Sequence, residues 1–92
     1  MATITKANLE HLCNLINKAT GNKLEAYTKV DDDKYHANVG TYVLSSAYGG
    51  HKLEQISDGG GVKSITSGFI SKRDLYYQMS IYLDGIEAGK KL

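Results

Sequence analysis

Hydrophobic periodicity changes twice along this chain, and no other feature constrains the fold as much. From about residue 5 to 19, Leu9, Leu12, Cys13, Ile16 and Ala19 recur at helical spacing along one stripe. Thr5 offers a hydroxyl to the first free N–H groups, and Gly21 supplies the stop. This places Glu10, Asn14, Asn17 and Lys18 outward, leaves His11 solvated, and makes Cys13 a small buried hydrophobe. A second helix begins at "SKRDL", where Ser71 and Asp74 have capping-box spacing and the acid favours the positive helix start. Leu75, Met79, Tyr82, Leu83 and Ile86 continue its stripe to a stop at Gly89, before a frayed "AGKKL" tail. Gly85 interrupts the run and weakens it by about 1 kcal/mol, unless it permits close packing.

Between the helices the period falls to two. In "YHANVGTYVL", Tyr35, Ala37 and Val39 share one side, and the pattern switches to Tyr42 and Leu44 after Gly40, as a bulge there would allow. "HKLEQI" and "VKSITSGFI" are shorter strands, with glycine turns separating all three. The expectation is an α+β fold: a three-stranded antiparallel sheet flanked by an N-terminal and a C-terminal helix, in the order α-β-β-β-α. Leu75, Met79, Leu83 and Ile86 should pack on Leu9, Leu12 and Ile16 across one sheet face. The segment Asn22 to Lys34 adds a short strand at "EAYTKV" before an acidic turn.

Residues 1–92 make one domain, whose size allows only about 60 to 65% of the unfolded surface to be buried. Seven tyrosines exceed what so small a core holds, so homo-oligomerisation is expected. The net charge of +1 gives no overall field to draw the chain onto nucleic acid or an anionic membrane. One cysteine excludes an intramolecular disulfide, and no apolar run reads as a signal peptide or a spanning helix. The expected setting is a reducing cytoplasm.

Chemistry-bearing motifs are few. Asp31, Asp32 and Asp33 lack the alternating ligands and distal acid of a calcium loop and read as a solvated turn. Cys13, His36 and His51 lack paired zinc spacing, so no metal or cofactor is expected. "DGGGVKS" departs from the phosphate-loop pattern because a valine intervenes and no helix opens there. Ser45, Ser46 and His51 are close in sequence, but no nucleophile elbow surrounds them and no orienting acid is evident, so no enzyme is expected. What remains is a binding constellation: Tyr42, Tyr48, Gly49, Gly50, His51 and Lys52, with Lys72 and Arg73 at the second helix start. Aromatic faces, cations, permissive backbone and free helix N–H groups suit a nucleotide or other anionic small ligand. The alternative is that Tyr42 and Tyr48 simply pack within the sheet.

The stretches "TGNKLEAYT", "HANVGTYVLSSAYGG", the Gly59–Gly61 run and "SKRDLYYQM" together resemble a widespread group of small tailed-bacteriophage proteins. The group's centre reads G-N-Y-x-L-x-x-A-Y-G-G. This chain departs from it with Thr41 in place of asparagine, and with Lys23 and Ala26 where the group has proline. The resemblance implies a phage accessory protein in the host bacterial cytoplasm, one that acts by occupying a host enzyme, a defence complex or a nucleotide signal of antiphage immunity. Sequestration of such a signal is the leading expectation, and inhibition of a host or defence protein the second. A third is nucleic-acid binding, because double-stranded RNA-binding domains share the α-β-β-β-α order. The near-zero charge opposes it, as does the want of a lysine-rich second helix beyond Lys72 and Arg73.

Overall fold

A computed structural model describes residues 3–66 and 68–90. Helix α1 spans Lys6–Thr20 and helix α2 spans Lys72–Lys90. Between them lie β1 (Tyr27–Asp31), β2 (Lys34–Ala37), β3 (Tyr42–Ala47), β4 (Gly50–Ile56) and β5 (Val62–Ser64). The strands form two antiparallel sheets, a β1–β2 hairpin and a β3–β4–β5 meander. The α+β class and the flanking helices stand, but the order is α-β-β-β-β-β-α and the single sheet is replaced by two.

The departure occurs at Gly40. Its φ of 95° belongs to a turn, not to a bulge within one strand. Asn38 holds that turn: its side-chain amide donates to the Glu25 carbonyl at 2.8 Å and its backbone N–H to the Ala26 carbonyl at 2.9 Å. "YHANVGTYVL" is thereby split between the two sheets, and the element order no longer matches that of double-stranded RNA-binding domains. The expected short strand in "EAYTKV" is β1, and the acidic residues cap its hairpin with Asp31 opposite Lys34. Of "VKSITSGFI", only Val62–Ser64 is a strand and Ile70 adds one isolated bridge to His51, while Ser67 lies outside the described residues.

Thr5 caps α1 as expected, in a reciprocal box with Asn8, and Gly21 takes the left-handed conformation at the other end with φ 75°. In α2 the Ser71 hydroxyl accepts from the Asp74 N–H at 3.1 Å. The helix continues through Gly89 to Lys90, so Gly89 is no stop, and Lys91 and Leu92 lie outside the described residues. Nor does Gly85 serve close packing, since a Cβ built there meets nothing within 4 Å.

Both helices cover one face of the meander. Leu9, Leu12, Cys13, Ile16, Tyr42, Leu53, Leu75 and Met79 form the core, with Leu83 and Ile86 packed against it. Asn17, expected outward, is buried instead. Its Oδ1 accepts from the Tyr42 N–H at 2.7 Å and its Nδ2 donates to the Tyr42 carbonyl at 3.0 Å, so one side chain completes both peptide groups of an edge-strand residue. The Cys13 thiol donates to the same carbonyl at 3.3 Å, and burial raises its pKa to about 11.

Candidate functional site

Strands β3 and β4 are joined by the two residues Tyr48 and Gly49, because Ala47 pairs with Gly50. Their φ values of 54° and 75° are those of a type I′ turn, whose twist matches the flanking strands. Gly49 accepts that geometry without strain, whereas Tyr48 is the one non-glycine residue with positive φ among the described residues. Gly50 serves another purpose. The 68–70 segment crosses β4 beside it, and a Cβ at Gly50 would lie 2.8 Å from the Phe69 carbonyl carbon. That close approach lets His51 and Ile70 exchange backbone hydrogen bonds of 2.7 and 2.9 Å.

Successive side chains of a strand point to opposite faces, so His51 and Lys52 part company. Lys52 lies on the face away from the helices. There it pairs with Glu54 at 3.2 Å, donates to Ser64 at 3.1 Å and sits 4.6 Å from the Phe69 ring centroid. Tyr48 is 96% exposed at the hairpin tip and meets the same phenyl ring edge-on at 5.8 Å. Tyr42 points the other way, into the core. Its ring packs edge-on against Tyr82 at 5.6 Å and the two hydroxyls share a 2.6 Å hydrogen bond. Burial first, and then that bond, push the Tyr42 phenol well above its ordinary pKa.

The remaining members converge. Gly49, His51, Lys72 and Arg73, joined by Thr3, Ile4 and Ser71, line an open groove of about 540 Å³. It lies where the hairpin end meets the first turn of α2. The His51 ring is steadied by a 2.8 Å hydrogen bond between Nδ1 and the Ser46 hydroxyl. When Ser46 donates to Nδ1, the ring carries its proton on Nε2 and can donate through it. Lys72 and Arg73 are exposed, and neither joins an ion pair among the described residues. The first-turn N–H groups of α2 add the positive end of the helix dipole.

The eight expected residues therefore fall into separate places. Gly49, His51, Lys72 and Arg73 share the groove, Tyr48 and Lys52 flank Phe69 on the opposite sheet face, Gly50 lies beneath the 68–70 segment, and Tyr42 is in the core. The sequence reads Ser46 only as a serine near His51 and Ser71 only as a helix cap, and places neither in the site. The first was legible from the two-residue turn, which makes it the cross-strand partner of His51. Ser46 and His51 hydrogen-bond each other, and among the described residues no carboxylate completes the three-residue arrangement of a Ser-His-Asp triad. Among the described residues no three His, Cys, Asp or Glu side chains gather in a way that could hold a metal ion. No helix among them is long and apolar enough to cross a membrane. No protein-family model, curated protein or solved structure matches the chain.

Proposed function

We propose that the groove binds a phosphate-bearing small molecule of the nucleotide class, and that the chain works by sequestering it as a non-enzymatic phage accessory protein directed against host defence. The observation that carries this reading is the meeting of Lys72, Arg73 and His51 with the first turn of α2 in one open groove. Two cations without ion-pair partners among the described residues and a cluster of N–H donors favour an anion. Tyr48 and Tyr42 face elsewhere, so recognition rests on the phosphates and hardly on the base. The likeness of "HANVGTYVLSSAYGG" and "SKRDLYYQM" to small phage proteins supports a host signal as the ligand.

Calorimetric titration with cyclic dinucleotides and ADP-ribose derivatives tests the proposal. Binding is expected to weaken as salt rises and to vary little with the base. Absence of binding across the set overturns it.

A second reading, inhibition of a host protein, is favoured by the β1–β2 hairpin. Tyr27, Val30 and Tyr35 are 56, 69 and 64% exposed along it. Both strands show solvent-exposed positions along most of their length. Capture of a stable host protein together with silent calorimetry would favour this reading over the first.

A further inference from the structure

The edge of β3 carries an unsatisfied pattern that is independent of the groove. Tyr42, Leu44 and Ser46 lie opposite Gln55, Leu53 and His51. The Tyr42 peptide groups go to Asn17, not to β4, while the backbone groups of His51 and Leu53 go to Ile70, Thr66 and Ile65 on the far side of β4. These are therefore the pairs of an antiparallel ladder that exchange no hydrogen bonds across β3 and β4, so the N–H and C=O of Leu44 and Ser46 point outward from the sheet. Among the described residues nothing on the chain takes them up. The strand also lacks what usually protects an edge, because Tyr42–Ala47 contains no proline, no charge and no bulge.

We infer that this edge is a homodimer interface in which β3 pairs antiparallel with β3 of a second copy about a two-fold axis at Ser45. In that register Leu44 of each copy lies opposite Ser46 of the other, and all the outward peptide groups are satisfied at once. Val43 meets Ala47, and Ser45 meets its own counterpart. Small neutral side chains face one another at each of these positions, and no charge opposes a like charge. The two three-stranded meanders become one continuous sheet.

Asn17 fixes the register. It already occupies the Tyr42 peptide groups, so the incoming strand must end opposite Val43, which is where the second copy turns away at Tyr48. The open edge thus runs from the residue after Tyr42, whose groups Asn17 takes, to the turn at Tyr48, and β3 itself has that length, which is why the occupant is a second copy and not a foreign strand.

Sedimentation of the full chain tests this, with two substitutions at the axis. Ser45 lies opposite Lys52 in its own sheet, so Ser45→Glu adds a compatible cross-strand pair within the monomer while setting two carboxylates against each other in the dimer. The wild type is expected to be dimeric at about 100 µM, and Ser45→Glu to raise the dimer Kd at least tenfold with an unchanged circular dichroism spectrum. Ser45→Cys is expected to form a disulfide-linked dimer on oxidation, because opposed residues that exchange no hydrogen bonds bring their Cβ atoms within bridging reach. Lys63→Cys, on exposed β5, serves as the control. A monomeric wild type at that concentration, or no more linkage for Ser45→Cys than for the control, overturns the inference and leaves the edge to a strand from another protein.

Discussion

Asn17 shows how much one polar side chain can hold. Its two hydrogen bonds to Tyr42, at 2.7 and 3.0 Å, are buried and cannot be replaced by water without opening the helix–sheet contact. Asn17→Ala should therefore cost about 2 to 4 kcal/mol in a denaturant titration, since it strands a buried donor and weakens a buried acceptor. A loss within 0.5 kcal/mol, roughly what a neutral surface site shows, would refute that role. Cys13 yields a pH prediction. Its pKa rises from an ordinary 9.0 to about 11 because burial disfavours the thiolate. Below the lower value the thiol is neutral in both the folded and the unfolded chain, and its contribution is fully present. As pH climbs toward the higher value the unfolded thiol ionises first, so stability falls, by about 2 kcal/mol. Unfolding measured at intervals from pH 8 to 11 should show a steeper fall for the wild type than for Cys13→Ala, and parallel curves would contradict the assignment.

At the scale of elements, the helices were legible and the strands only partly so. Thr5, Gly21 and Ser71 announce their caps because capping chemistry is local. Gly85 is the exception inside α2: a Cβ there would meet nothing within 4 Å among the described residues, and no turn needs it. Gly85→Ala should accordingly raise stability by about 1 kcal/mol, read from the shift of the thermal midpoint, and a destabilisation would mean that the glycine has a partner. Asn17 is polar and so reads as outward, yet it lies four residues after Cys13 on the same stripe, and that position buries it. The break at Gly40 was hidden by an alternation that runs on through Tyr35, Ala37 and Val39. What decides it is the long-range hold of Asn38 on Glu25 and Ala26, which no local pattern encodes. The hairpin it creates is a two-stranded sheet with both strands largely exposed, an arrangement that is marginal on its own. Amide exchange in β1 and β2 should therefore be much faster than in β4, and equal protection would mean that the hairpin is covered in solution.

Over the whole molecule, a five-strand, two-helix frame brings together residues far apart in sequence. Gly49 and His51 come from a hairpin, Lys72 and Arg73 from the start of α2, and the crossing segment at Phe69–Ile70 joins them through its bonds to His51. Half of the candidate site could be read from the chain, since cations at a helix start and glycines at a turn are local signals. The division of His51 from Lys52 follows from strand alternation, but it shows only once the register of β4 is known. The central claim is that this groove holds phosphate through Lys72, Arg73 and His51, and titration calorimetry on the wild type and on the double variant Lys72→Ala/Arg73→Ala tests it most directly. With a cyclic dinucleotide or ADP-ribose derivative that the wild type binds, the double variant should lose about 100-fold or more in affinity, since charge-assisted bonds are worth about 1.5 to 3 kcal/mol each. Tyr48→Ala, altered outside the groove, should bind as the wild type does. Equal affinity of the double variant and the wild type, with both folded, would contradict the account.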